Sequence, residues 1–323
     1  MRFDALLLLS FGGPEGPEDV RPFLANVLRG RPVPPERVRQ VEENYLRFGG
    51  RSPINDQNRA LLSALRERMD RPVYWGNRNW HPYLADTLAR MRDDGVGRAA
   101  VLATSAYSSY SGCRQYIEDM ERARAEVGPG APGLVKLRPF FDHAGFVGPL
   151  ADGLARAVAA AGPDAPVLMS AHSIPESMAA TCDYQRQLAD TAARVAAAAG
   201  VEATRVRLVY QSRSGSPQQP WLGPDVVQAI GELPAATGAV VVAPIGFVSD
   251  HMEVVYDLDV QAAEAAGARG IRFVRSATPG TAPAFVSMVA DLVDELEASG
   301  GVPQWCWPGC CPPPPASRGA LPS

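Results

Sequence analysis

Short apolar runs alternate along the chain with longer segments in which apolar residues recur every three or four positions. The runs cover 5–9, 73–76, 99–103, 135–137, 167–170, 205–210, 239–243 and 271–274. Runs this short, with little polar alternation, suit strands buried on both faces. The periodic segments predict helices over 18–28, 54–69, 82–91, 113–126, 143–161, 183–199, 225–233, 250–266 and 282–298. Strand and helix in turn imply parallel sheets with right-handed crossovers. Eight strands in two sets of four suit two similar doubly wound halves. A closed barrel would call for even strand-to-helix spacing, and the spacing is uneven.

The pattern breaks at two places. Pro139 and Gly145 punctuate a junction after the fourth run. From Gly300 the chain reads GGVPQWCWPGCCPPPPASRGALPS, which is neither helix nor central strand, because proline removes donors and breaks helices. The predicted organisation is therefore a first half over 1–140, a second over 141–280, a terminal helix over 281–299 and a Pro/Cys-rich tail over 300–323.

Composition narrows the class. With 46% hydrophobic and 20% charged residues, the bulk of the chain is globular. A net charge of −4 leaves no footprint for nucleic acid or an anionic membrane. Lys136 is the one lysine among 31 basic residues, a bias that fits a GC-rich genome better than a phosphate-binding surface. No apolar run approaches the roughly 20 residues of a membrane span, and the run at 5–9 is too short for a signal peptide. The expected location is the cytoplasm. The 323 residues hold five cysteines, an odd count that argues against a disulfide framework.

Ligands of open parallel sheets bind beyond the carboxyl ends of the strands, so the residues that follow each run matter most. Ser10-Phe11-Gly12-Gly13-Pro14-Glu15-Gly16 follows the first, but it is not G-x-G-x-x-G and reads as a structural turn beside a flat ligand at most. Ser170-Ala171-His172-Ser173 follows the fifth. His172 there can take a proton or hold a cation, or can simply pack. After the seventh comes a segment with Asp250, Glu253, Asp257 and Asp259. Glu253 and Asp257 at i and i+4 share a helix face and can guide a divalent cation, while Asp250 and Glu253 also have the spacing of a capping box. No G-x-S-x-G elbow is present for a serine hydrolase. Cys306, Cys310 and Cys311 form C-x3-C-C in the tail, with Cys182 and Cys113 far upstream. Clustered cytosolic thiols favour metal over disulfide, and three plus one remote thiol suit [2Fe-2S] or zinc.

The stretches LLLLSFGGPEGPEDV, GGRSPIN, MSAHSIPESM, WLGPDV and GFVSDHMEVVYDLD, in this order over residues 3–298, resemble the ferrochelatases. Within that family the chain resembles the actinobacterial branch, which is similar to the coproporphyrin III ferrochelatases of Gram-positive bacteria. The resemblance implies two Rossmann-like, chelatase-like halves, each a parallel sheet flanked by helices, with a porphyrin cleft between them and the last helix packed on the first half. It implies insertion of Fe2+ into a porphyrin for haem biosynthesis, with coproporphyrin III favoured by the polar Arg29–Arg31 lip. Protoporphyrin IX insertion, or cobalt or nickel insertion by another type II tetrapyrrole chelatase, is the alternative. A non-catalytic tetrapyrrole-binding module is the rival from another class.

By that resemblance the metal-site pair falls on His172 and Glu253, and porphyrin contacts fall on Ser52, Tyr116, Arg29 and Phe11. Asp257 continues the acidic face, although its next step is Gln261 here. Phe11 cannot supply the axial tyrosinate that some relatives have. The resemblance further implies a [2Fe-2S] cluster on Cys182, Cys306, Cys310 and Cys311, with Cys113 a plain thiol near the cleft. The partners it implies are the porphyrin, ferrous iron and brief contacts with neighbouring haem-pathway enzymes, without nucleic acid or a membrane span.

Overall fold

The structure is a computed structural model that describes residues 1–29, 33–214, 218–302 and 309–313. Eight strands form two four-stranded, all-parallel sheets. The first holds β1 (Ala5–Ser10), β2 (Val73–Asn77), β3 (Arg98–Ala103) and β4 (Gly133–Lys136) in the order β2-β1-β3-β4. The second holds β5 (Val167–His172), β6 (Val206–Gln211), β7 (Ala239–Ala243) and β8 (Arg272–Arg275) in the order β6-β5-β7-β8. The two orders are the same, so each half changes winding direction between its first and third strands. Those two switch points are where an open sheet leaves a crevice. All eight predicted strands are present, with ends displaced by at most two residues.

Helices cover both faces of each sheet because neither face has a polar side. Leu7, Leu9 and Val101 pack on α4 (Leu84–Asp93) and α5 (Gln115–Val127). Leu168, Val209, Val240 and Val242 pack under α9 (Val226–Gly231) and the helical segment after β7. The remaining faces share one continuous core with α3 (Ile54–Arg68), α6 (Ala144–Ala161), α8 (Tyr184–Ala198) and α12 (Pro283–Ala298). In that core α12 lies against both α6 and α3. The end of α12 also holds the chain's start: the Met1 ammonium donates to the Glu297 carbonyl at 3.0 Å and the Phe3 N–H to the Glu297 carboxylate at 2.8 Å.

Three local features depart from the periodicity. α1 (Pro17–Val27) is joined by α2 (Pro35–Leu46), which the pattern did not predict, since none of its residues is fully buried. A short α7 (Glu176–Ala179) follows β5. The predicted helix at 250–266 starts later, as α10 (Met252–Val254), runs as a π-wound segment (Val255–Ala262) and ends as α11 (Ala263–Ala268). Wide turns of this kind concentrate at functional sites. Among the described residues no helix is long and apolar enough to cross a membrane.

Candidate active site

His172 is the last residue of β5, beside the switch point of the second sheet. Its backbone is tied down on both sides: the Tyr184 hydroxyl donates to the His172 carbonyl at 2.8 Å, and the Ser173 N–H donates to the Gln211 carbonyl at 2.7 Å. The ring Nδ1 sits 2.5 Å from the Ser173 carbonyl. A carbonyl only accepts, so Nδ1 carries a proton and Nε2, which faces outward, is the nitrogen that gains or loses one. That Nε2 lies 3.6 Å from Glu253 Oε2, and His251 Nδ1 reaches the same oxygen at 3.9 Å. The strand end and the start of the π-wound helix thus bring His172 and Glu253 together from opposite sides of one crevice.

Electrostatics follow from this spacing. Burial opposes protonation of His172, but the Glu253 carboxylate and its hydrogen bond outweigh it, and the imidazole pKa lies above its usual value. Burial likewise opposes ionisation of Glu253, yet His172 and then His251 hold its carboxyl well below the usual range. Glu253 keeps 48% of its side-chain surface open, so water screens the pair without reversing either direction. His251 is held low, by burial first. Asp257 is pushed up to about 6 by burial, although its hydrogen bond with Ser212 works against this. Asp250 does not cap the helix. It is gripped by the Arg275 guanidinium at 3.0 and 3.1 Å and by Thr278 at 3.2 Å, and so belongs to the framework.

The first half approaches this crevice through α2 and α3. Gln57 accepts from the Asp250 N–H at 3.2 Å, and the Arg47 guanidinium lies 5.9 Å from the Tyr256 ring centre. Burial raises the Tyr45 hydroxyl pKa, with the Glu253 charge adding to it. Of the expected porphyrin contacts, Phe11 lies directly after β1 with 36% of its surface exposed. Tyr116 is nearly buried, 4.4 Å beneath the Arg78 guanidinium, which also lies 5.8 Å from Phe11. Asp119, itself buried, fixes Arg78. Ser52 is buried under Gly13, where its Oγ accepts weakly from Ile54 N–H. Arg29 is exposed and donates to Asn26 at 2.8 Å; Arg31 lies outside the described residues. Arg78, His251, Gln211 and Ser212 also belong to the site, although the sequence motifs did not mark them. Arg78 and the Gln211–Ser212 pair carried the same strand-end signal that singled out His172.

Of the cysteines, Cys182 and the turn that carries Cys113 both lie near Met178 in the fold. Cys182 donates to the Met178 carbonyl at 3.2 Å, and the Ser111 hydroxyl, two residues before Cys113, reaches Met178 Sδ at 3.9 Å. Cys311 is buried, in a left-handed backbone conformation at φ 46°. Burial pushes its thiol up to about 12, and Cys113, Cys182 and Cys310 add to the shift. Cys113, expected to be a plain thiol near the cleft, is buried in the π-wound turn (Tyr110–Arg114) that leads into α5. Cys306 lies outside the described residues. Among the described residues no three His, Cys, Asp or Glu side chains are placed to hold a single metal ion.

Comparisons with known proteins bear on fold and family. The chain is 54% identical over 307 residues to the coproporphyrin III ferrochelatase of Mycobacterium marinum, covering 94% of this chain and 89% of that protein. It is 52% identical to the ferrochelatase of Rhodopirellula baltica, covering 91% and 86%. Among solved structures it shares its fold with the sirohydrochlorin chelatase SirB of Bacillus subtilis in complex with cobalt (TM-score 0.58, 12% identity, 92% and 98% covered). The same holds for CbiX, the terminal enzyme of sirohaem biosynthesis in denitrifying bacteria (TM-score 0.52, 15% identity, 90% and 98% covered). Residues 3–297 match the family profile described as Ferrochelatase, and the chain belongs to the ferrochelatase family.

Proposed function

We propose that this chain inserts Fe2+ into coproporphyrin III to form coprohaem. The observation that carries the reading is the His172–Glu253 pair, 3.6 Å apart at the mouth of β5. Insertion exchanges two pyrrole N–H protons for one divalent cation. His172 Nε2, with its lone pair turned to the crevice, accepts a pyrrole proton or ligates the entering metal. Glu253 stays ionised and balances the positive charge that arrives. Asp257, titrating at about 6, takes and releases a proton near neutral pH. Phe11, Tyr116 and Arg78 form the facing wall that grips the macrocycle. Ser52 acts from beneath, through the loop it supports. Arg29 and Arg47, both exposed, suit a substrate with four propionates. The high identity to proteins named coproporphyrin III ferrochelatases supports the same substrate.

Anaerobic Fe2+ insertion with coproporphyrin III and protoporphyrin IX in parallel tests the proposal. Faster turnover of coproporphyrin III is expected, and His172→Ala and Glu253→Gln should each lower kcat by about 100-fold or more. Near-normal insertion by both folded variants would remove the pair from the mechanism. Preference for protoporphyrin IX, or for cobalt in a reduced tetrapyrrole, would change the substrate.

The thiols support a second element of the proposal. Cys182, Cys310 and Cys311 are donors of the type that holds [2Fe-2S], and Cys306 completes the set. When bound, such a cluster supplies a cross-link between the tail and the turn from α7 to α8. The expected protein is red-brown and loses its visible bands in each of the four Cys→Ser variants. Cys113→Ser should keep them. A colourless protein with stoichiometric zinc would overturn this assignment. A cytoplasmic location belongs to the same proposal.

A further inference from the structure

Gln211 ends β6 directly abreast of His172 in the parallel register. Paired residues of parallel neighbours rise from the same sheet face. That face also carries Leu168 and Val209, which pack under Val254 and Leu258 of the π-wound region. Gln211 is fully buried there, with its amide Nε2 3.4 Å from the Glu253 carbonyl. The reverse amide orientation would set two acceptor oxygens face to face. The bond is long, and two shorter ones back it on the same dipeptide. The Gln211 carbonyl accepts from Ser173 N–H at 2.7 Å, and the Ser212 hydroxyl bonds Asp257. Ser212 does so from a left-handed conformation, φ 63°, which an L-residue adopts at a cost. The end of β6 therefore grips Glu253 in α10, Asp257 in the π-wound segment that follows, and the peptide that follows His172.

Gln211 Oε1 is buried without a partner among the described residues, and so is Ser170 Oγ, two residues before His172 on the same face. A buried acceptor left unpaired destabilises the fold, and an apolar side chain of the same shape would not. Such a group is retained for something other than stability.

We propose that Gln211, assisted by Ser212, is a positioning residue for metal entry: it anchors α10, the turn that leads into the π-wound segment, to the strand beside His172 and so sets the spacing of the His172–Glu253 pair. This rests on the reading of that pair as the metal site.

The test uses Co2+ alone as a spectroscopic probe on the full chain, with steady-state Fe2+ insertion alongside. Gln211→Met keeps length and removes both polar ends. Gln211→Asn keeps the amide but is too short to reach the carbonyl. Both should bind Co2+ about tenfold more weakly and raise KM for Fe2+ about tenfold. KM for the porphyrin should stay unchanged, and for Gln211→Met the melting temperature should be equal or higher. Ser212→Gly, which suits the left-handed backbone, should show a smaller effect of the same kind. Unchanged Co2+ affinity in the Gln211 variants, or loss of melting temperature with KM for Fe2+ intact, overturns the proposal. His172→Ala serves as the control. If it too leaves Co2+ binding unchanged, the metal-site reading itself fails, whereas loss in His172→Ala but not in the Gln211 variants sinks only the positioning role.

Discussion

Asp257 is the residue at which the site and the stability of the fold pull in opposite directions. Its carboxyl is raised to about 6 by burial first, with the Glu253 charge adding to it. A folded-state pKa above the unfolded value near 4 means that folding favours the protonated acid. The stability from this group is fully present below about pH 4 and is lost as the pH rises through 6. Asp257→Asn keeps the shape without the charge. It should raise the melting temperature by roughly 2–4 °C at pH 8 and change it little at pH 4. Thermal denaturation at the two pH values checks this, and an equal shift at both would contradict it. His172 was singled out by its place at the end of an apolar run, and Glu253 by its helix-face spacing with Asp257, but only the family resemblance joined the two as a pair. Gln211 and Ser212 were not singled out, since an amide and a hydroxyl acquire a role here only from the residues opposite them.

At the scale of elements, the crossing of β5 and the β7 exit is the tightest point near the site. Gly246 donates its N–H to the Ser170 carbonyl at 3.0 Å. A Cβ on Gly246 would fall 2.6 Å from both Cα and Cβ of Ala171, the residue before His172. Gly246→Ala must therefore displace strand backbone. It should cost roughly 1–3 kcal/mol by overpacking and lower Fe2+ insertion, read from the urea midpoint and the turnover of the same preparation. Gly267 in α11 has nothing within 4 Å of its would-be Cβ, so Gly267→Ala should stabilise by roughly 0.5–1 kcal/mol through helix propensity alone. Equal effects at the two glycines would mean that close approach is not what Gly246 provides. The strands and most helices could be read from periodicity because burial on a fixed face imposes it. The π winding could not, because a few residues at a wider turn leave the apolar spacing almost unaltered. Nor could α2, which buries no residue fully and so carries no such signal.

The largest core runs through both sheets, with smaller ones on their outer faces. Tyr107, from the first half, is buried within it, and its hydroxyl donates to the Ile245 carbonyl beyond β7 at 2.8 Å. Tyr107→Phe would leave that carbonyl unpaired and should cost roughly 1–3 kcal/mol. Because the core is shared, wild type and variant should each unfold in a single calorimetric transition. Two separated transitions, with only one moved by the substitution, would show that the halves fold independently. The two-half architecture was visible in the strand count. The shared core was not, because it depends on which outer faces meet.

Local chemistry in the chain determined the eight strands, the parallel winding and the thiol-rich tail, while the pairing of His172 with Glu253 came from the resemblance of whole motifs to a family. The first three depend on residue type and spacing over a few positions, which a sequence records directly. Tertiary structure alone decided that Glu253 points at His172 across a crevice and that β6 grips the π-wound helix. Those relations join residues 40 to about 80 positions apart, and their distances are set by how sheets and helices pack rather than by any local pattern.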